Sequence, residues 1–386
     1  MPSPDVAASL PFGVAEPRSH RHLLLAVNAA RGTPRAVICR LGRDPDSWAR
    51  PLSSAELGSL SRTLQVPRLH LEAVQRLLPR AQELAHEELR RAADVDARAV
   101  VVGDPDYPAA MADLGLPPPV LFVRGCLPVA PGIAIVGSRR IDAYGLEVAS
   151  LFSRELAAAG LTVVSGFAYG VDAAAHRGAL AIQGGTTVGV LGCGLGFDYP
   201  RGHAPLAEQI VAAGALVSEF PCGSAPQPYN FPIRNRLIAA LSEGTLVVQA
   251  APRSGSLVTA RLALELGREI YAVPGAIFNE RSLGPNTLIR DGAHPVQHPR
   301  DILESLPERV RERLRPLAVP FEDAGERPLG LAGRIYELLI AGEPRAPEEI
   351  AESARTGVDG ALGALLELEL LGLVSRHPGP TYCRHA

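Results

Sequence analysis

The chain has 386 residues, 47% of them hydrophobic and 20% charged, with a net charge of −3. That length exceeds one ordinary domain and that composition supports packed cores, so two or three folded domains are expected and a disordered chain is excluded. No apolar run is long enough to cross a bilayer. Residues 1–18 lack a basic stretch followed by an apolar run, so residues 1–20 read as a loose tail, not a secretory leader. Five cysteines (Cys39, Cys126, Cys193, Cys222, Cys383) are odd in number and far apart. That pattern argues against a disulfide framework and a zinc site, and for the cytoplasm. The net charge itself gives no sign of nucleic acid. All 38 strong cations are arginine, which suits bidentate phosphate contact better than lysine.

Residues 21–95 carry helical periodicity. Leu23, Leu24, Leu25 and Val27 open one segment, and 34–41 reads as a second with Pro34 in its first turn. Ser53 or Ser54 can cap a third, with Glu56 following. A longer amphipathic run at 69–89 ends in Arg90 and Arg91. Residues 96–306 form the core. Short buried strands at 99–102 and 120–123 come first, separated by Asp104-Pro105 and Pro117-Pro118-Pro119. Strands at 133–136, 162–165, 187–191, 216–218, 245–249 and 270–273 then alternate with helices near 142–159, 171–182, 203–213, 233–241 and 257–266. Strands apolar on both faces that alternate with helices predict a doubly wound, Rossmann-like, mostly parallel sheet. Residues 307–328 read as a linker. At 329–386 three helices and a hairpin around His377-Pro378-Gly379-Pro380 make a winged helix. Its third helix holds Asp359, Glu367 and Glu369 and no arginine, which favours a protein contact or a structural role over reading duplex DNA.

Ligands of an open parallel sheet bind beyond the carboxyl ends of its strands. The loops there are Gly137-Ser138-Arg139-Arg140, Gly166-Phe167-Ala168-Tyr169, the stretch Gly192 to Arg201, Asn230-Phe231-Pro232-Ile233-Arg234-Asn235-Arg236, and Arg253-Ser254-Gly255-Ser256. Several lead into helix N-termini, whose free N–H groups favour an anion. Glycine lets the backbone approach a phosphate, serine adds a hydroxyl and arginine a charged fork. Arginines interleaved with Phe167, Tyr169, Tyr229 and Phe231 suit a single strand, with phosphates paired and bases stacked. Each loop alone has an ordinary structural reading. Phe231 before Pro232 fits core packing as well, Asp172 reads as a helix N-cap, and His176 as a structural histidine. Arg234 and Arg236 are two apart and cannot share a helix face, so one of them is expected to pair with an acid. Asp172, Asp198 and Glu219 read as scattered and unpaired. Recurrence along one sheet edge carries the nucleic-acid reading. A dinucleotide site is excluded, because Gly-x-Gly-x-x-Gly is missing after the first strand. No Walker A motif or Ser-His-Asp order is present, so no catalytic residue and no cofactor is assigned.

These loops together resemble the DNA-processing protein family DprA, also called Smf. The carrying segments are Ile135 to Arg139, Ser165 to Ala168 with Gly170 to His176, Asn230 to Arg236, Ser254 to Ala260, and Ala272 to Gly275. The resemblance implies a non-enzymatic protein of natural transformation. Such a protein binds single-stranded DNA (duplex more weakly), protects it, and hands it to the RecA recombinase. It also implies a homodimer formed through the core, a SAM-like N-terminal domain and a winged-helix C-terminal domain. The family's anion pocket falls on Ser138, Arg139, Gly166, Phe231, Arg234, Asn235, Arg236, Ser254 and Gly255. Tyr169 departs from a basic residue usual in the family, and Gln249 from a glutamate. Leu288, Ile289 and Val296 are the apolar candidates for the dimer surface. Two rivals stand beside this reading. A phosphoribohydrolase of the related Rossmann-like type would need Gly-Thr and a Glu after Pro274-Gly275, where Ala276-Ile277-Phe278 stands. A winged-helix regulator would prefer duplex DNA.

Overall fold

The computed structural model describes residues 17–30, 32–315, 330–340, 343–377, 379 and 381–384. Five helices open it: α1 (Pro17–Ala29), α2 (Arg35–Arg43), α3 (Ser54–Leu64), α4 (Arg68–Leu77) and α5 (Ala81–Ala93). Ser53 caps α3, its Oγ accepting from Glu56 N while Glu56 answers to Ser53 N at 2.8 Å, a reciprocal capping box. The run expected as one helix at 69–89 breaks at Pro79, where a short 3₁₀ turn separates α4 from α5. Leu23, Val27, Ile38, Leu41, Trp48, Leu71 and Val74 form the core of this helical unit. The opposite side of α1 and α5 (Leu24, Leu25, Ala85, Ala92) packs on the sheet that follows.

That sheet has nine strands: β1 (Ala97–Val101), β2 (Val120–Gly125), β3 (Gly132–Val136), β4 (Thr162–Ser165), β5 (Thr186–Val190), β6 (Ala215–Ser218), β7 (Gly244–Val247), β8 (Glu269–Ala272) and β9 (His294–Pro295). The spatial order is β1-β2-β6-β5-β4-β3-β7-β8-β9. From β6 to β9 every pairing is parallel, while β1 and β2 add antiparallel strands at one edge. The crossover helices are α6 (Ala143–Ala158), α7 (Val171–Leu180), α8 (Ala204–Ala213), α9 (Asn230–Ala240) and α10 (Ser256–Glu265). Two buried clusters face each other across the sheet, one around Val136, Leu237 and Ala260, the other around Ile135, Phe152 and Val171. The fold is the doubly wound α/β sheet that alternation predicted.

The chain runs outward from β3 through β4, β5 and β6, then returns to lay β7 on the other side of β3. The switch point therefore lies between β3 and β7, and the loops after both strands open a crevice there.

Beyond β8 come α11 (Leu283–Arg290), α12 (Pro299–Ser305) and α13 (Glu308–Arg311). The linker expected from residue 307 begins with core structure: Val310 is buried beside Leu306, and Arg309 pairs with Glu243 at 2.7 Å. Residues 316–328 of that linker lie outside the described residues, as do 1–16 of the expected tail. Val296, a candidate for the dimer surface, is 1% exposed and packs in the core, because just past β9 its N–H donates to Ala272 O at 3.0 Å and holds it against the sheet. Leu288 also leans on the core from α11 and Ile289 is half-buried. The last unit holds α14 (Gly330–Leu338), α15 (Pro347–Ser353), α16 (Val358–Leu370), β10 (Val374–His377) and β11 (Thr381–Arg384), with its own core around Ile335, Ile350, Leu365 and Tyr382.

Candidate nucleic-acid interface

The switch-point crevice holds a cavity of about 450 Å³. Gly137 and Arg139 reach it from the loop after β3, Ala168 from the loop after β4, and Ser254, Gly255 and Ser256 from the loop after β7. Helix α9 supplies Phe231, Arg234, Asn235 and Ile238, spaced three, four and seven apart, so one helical face looks into the space. A smaller cavity of about 70 Å³ adjoins it, sharing Arg139, Tyr199 and Phe231 and reaching Gly166 and Tyr169.

The loop after β3 is braced at several points. Ser138 N donates to Gln249 O at 2.7 Å, and the Ser138 hydroxyl donates to Arg140 O at 2.8 Å. That hydroxyl serves its own turn. Gln249 Nε2 donates to Asp142 Oδ1 at 2.8 Å, so this residue steadies the N-cap of α6 and does not buttress an arginine. Asn279 also reaches Asp142. Gly170 has φ +76°, and a Cβ there would strike the Ser138 carbonyl. The two loops can approach only because that carbon is missing.

Arg139 is exposed at the cavity mouth, its guanidinium carbon 5.1 Å from the Phe231 ring centroid. Among the described residues no carboxylate lies within ion-pair reach of it. The Phe231 ring also meets Tyr199 at 5.4 Å and packs on Gly192, where a Cβ would stand 2.7 Å from Phe231 Cδ1. Ser254 and Ser256 share a hydrogen bond of 2.8 Å at the start of α10, and Asn235 Nδ2 donates to Gly255 O at 3.1 Å. Loop and helix are thus tied across the cavity. Gly255 faces open space.

The remaining candidates divide. Arg234 lines the cavity but is 4% exposed, its Nη1 donating to the Gly166 carbonyl at 2.5 Å and to the Val190 carbonyl. Burial pushes its guanidinium down to about 10, with Arg139 adding to that push and Asp172 opposing it. The group stays a cation at neutral pH, held from below as part of the cavity floor. Asp172 is not the N-cap; Gly170 is. Asp172 Oδ2 accepts from Ala168 N at 3.2 Å. Burial raises its carboxyl above the usual range, and Arg234 works against that rise.

Arg236 is not brought to the cavity. Its guanidinium reaches Glu219 Oε2 at 2.7 Å and Leu116 O at 2.8 Å on the far side of α9. Glu219, fully buried, also receives Arg35 of α2 at 3.4 Å, so this acid is paired, contrary to expectation. Phe167 is 4% exposed with φ 59°, a left-handed position costly for a bulky residue, and its ring meets His203 edge-on at 5.2 Å. It is a packed element of the β4–α7 turn, and Tyr169, 47% exposed, is the aromatic that turn presents. Asn230 is buried at the first turn of α9. Arg140, Arg201 and Arg253 are exposed around the rim and outside the cavity wall. Tyr199 and Thr259 also line the wall, Tyr199 from the Gly192 to Arg201 stretch and Thr259 from the Ser254 to Ala260 segment, though neither was among the expected contact residues.

A parallel Rossmann-like sheet whose switch point gathers glycines, serines and an unpaired arginine defines a class, the doubly wound α/β proteins with a crevice at the carboxyl ends of their strands. The comparisons narrow the class. The family model described as DNA recombination-mediator protein A matches residues 98–307, and the DprA winged helix domain matches residues 319–380. Protein Smf of Escherichia coli (strain K12) is 43% identical over 279 residues, 71% of each chain. The DNA processing protein DprA of Bacillus subtilis (strain 168) is 40% identical over 213 residues, 54% of this chain and 71% of its own. The X-ray structure of DNA processing protein A from Streptococcus pneumoniae superposes with a TM-score of 0.63 at 30% identity, covering 74% of this chain and 98% of that one. The chain belongs to the DprA (Smf) family of DNA-processing proteins. Among the described residues no helix is long and apolar enough to cross a membrane.

Proposed function

We propose that this chain binds single-stranded DNA across the switch-point cavity without regard to sequence, protects it during transformation, and passes it to the RecA recombinase as a homodimer. The observation that carries the reading is the state of Arg139. Its guanidinium stands unpaired over an aromatic ring, at the mouth of a cavity walled by the Ser254-Gly255-Ser256 start of α10. A cation left without a carboxylate beside the N-terminal end of a helix dipole suits a phosphate, and the Phe231 and Tyr199 faces suit a base. Arg234 supports the site from within, adding positive potential while its donors serve backbone carbonyls. A dimer would present two such cavities to one strand and gain avidity by linkage.

Titration of a fluorescent oligothymidylate at rising NaCl tests the reading. Neutralising about five phosphates gives a log–log slope near −3.5 for a single strand. Arg139→Ala is expected to weaken binding about 10- to 100-fold, the worth of a charge-assisted contact, and to flatten the slope by about 0.7. Salt-independent binding, or undiminished binding by Arg139→Ala, would refute the phosphate role. Loss of RecA filament stimulation by a variant that still binds DNA would locate the handover elsewhere on the molecule.

A further inference from the structure

The turn after β8 exposes two large apolar side chains beside the cavity rim: Phe278 is 96% exposed and Ile277 72%. They are the central residues of a closed turn, with Asn279 N donating to Ala276 O at 3.0 Å. The turn is held to the loop after β3. Arg281 Nε donates to Arg140 O at 2.9 Å, and Asn279 Nδ2 donates to Asp142 Oδ2 at 3.3 Å. Behind it, Ala250 N donates to Arg281 O at 2.7 Å, tying the same turn to the loop after β7. Both loops of the cavity thus anchor this turn, and its tip projects outward. Arg140 and Arg281 meet at its base, and among the described residues neither has a carboxylate within 4 Å. Glu280 is the acid on the turn, exposed.

Two solvent-facing apolar groups cost solvation unless something covers them. The cations at their base favour a polyanion with flat apolar faces as the cover. We propose that Phe278 and Ile277 form a second contact for single-stranded DNA, a stacking wedge where the strand leaves the switch-point cavity, with Arg140 and Arg281 meeting the phosphates between the two. The proposal rests on the single-strand reading above and lengthens its footprint. Nucleotides in the cavity occupy Arg139 and Phe231; the next ones cross Arg140 and Arg281 and stack on Phe278.

The test compares oligothymidylates of about 6 and about 20 nucleotides, spanning the range of short single-strand sites. Phe278→Ala is expected to weaken the longer oligomer about 5- to 100-fold, the worth of one stacked base, and to leave the shorter within about twofold. Both residues are exposed, so the folded protein should be kept. Trp48 is the sole tryptophan and is buried among α1–α4. Phe278→Trp therefore adds a reporter whose emission the longer oligomer should quench. Equal affinity of wild type and Phe278→Ala for the longer oligomer, with an unquenched Phe278→Trp, would overturn the wedge while leaving the cavity reading intact. Wild type binding neither oligomer would instead remove the single-strand reading beneath it. If Phe278→Ala lowers the sedimenting mass at unchanged affinity for both lengths, the turn serves a second copy of the chain and the wedge is overturned.

Discussion

Gly166 has no room above its Cα. A Cβ there would stand 2.5 Å from Asp172 Oδ2 and 2.8 Å from Arg234 Nη2. Gly166→Ala must therefore displace a buried carboxyl or a buried guanidinium, and is expected to lower stability by about 1–3 kcal/mol. Gly255 is the control. It lines the larger, adjoining cavity, has φ −62° and meets nothing within 4 Å, so Gly255→Ala should stay within about 0.5 kcal/mol of wild type. Thermal melts of the two variants decide it, and equal melting would refute the packing account. His176 makes the second prediction at this scale. It is fully buried, with Nδ1 2.7 Å from Thr187 Oγ1. Burial, with His203, Arg177 and Arg234 adding to it, holds its pKa down to about 3, below the ordinary 6.5. The unfolded chain therefore takes this proton first as pH falls. Stability should be full above pH 6.5 and decline below it by about 1.4 kcal/mol per unit toward pH 3. Denaturant midpoints at pH 7, 6 and 5 test this, and His176→Gln should flatten the upper part of that decline.

At the scale of elements, α9 works on two sides. Its Phe231, Arg234, Asn235 and Ile238 stripe faces the cavity, while Arg236 points back to Glu219, where Arg35 of α2 also arrives. Asn28 of α1 donates to the Glu219 carbonyl at 3.4 Å and accepts from Arg35 at 2.6 Å. One buried carboxylate thus joins the helical N-terminal unit, the end of β6 and the back of the cavity-facing helix. Removing one partner of a buried ionic group is costlier than the group's net worth, because the others stay desolvated. Glu219→Gln is expected to cost about 3–5 kcal/mol and to speed hydrogen exchange in α1 and α2. Exchange that speeds evenly over the whole chain would instead show a general loss of stability. The same node explains why Arg236 resembles a ligand group by position and is a structural one by contact. Glycine, serine and arginine in sequence order do not reveal which way a helix is rolled.

Across the whole molecule, positive charge is placed locally and not summed. The net charge is −3, yet the rim of one crevice collects Arg139, Arg140, Arg201, Arg253 and Arg281 as exposed or half-exposed cations. The C-terminal unit is different in character. On α16, Val358, Leu362, Leu366 and Leu370 form an exposed apolar stripe at a spacing of four, bordered by Asp359, Glu367 and Glu369. Acids there repel phosphate, so this helix is expected to read duplex DNA poorly. Ending the chain before residue 330 should leave affinity for a short oligothymidylate within about twofold, as read by anisotropy. A loss above tenfold would assign this unit a direct share in binding.

The alternation of apolar strands with helices by itself determined the parallel sheet, the order of its strands and helices along the chain, and the edge where the candidate loops gather. Short apolar runs at 133–136, 162–165 and 187–191, set between helices, fit strands buried on both faces. Local chemistry likewise narrowed the cap of α3 to Ser53 or Ser54, since its donors and acceptors lie within four residues, and the structure chose Ser53. Only the tertiary structure decided which charges are free. Arg139, Arg234 and Arg236 look alike in sequence, but one is open, one is spent on the Gly166 and Val190 carbonyls, and one is held by Glu219. It also decided that Phe167 and Val296 turn inward and that the turn at Ile277-Phe278 meets the cavity loops. The physical reason is range. Periodicity and capping act over a few neighbouring residues, whereas an ion pair or a cavity wall joins residues far apart in the chain, and solvent exposure is known only when every layer is in place.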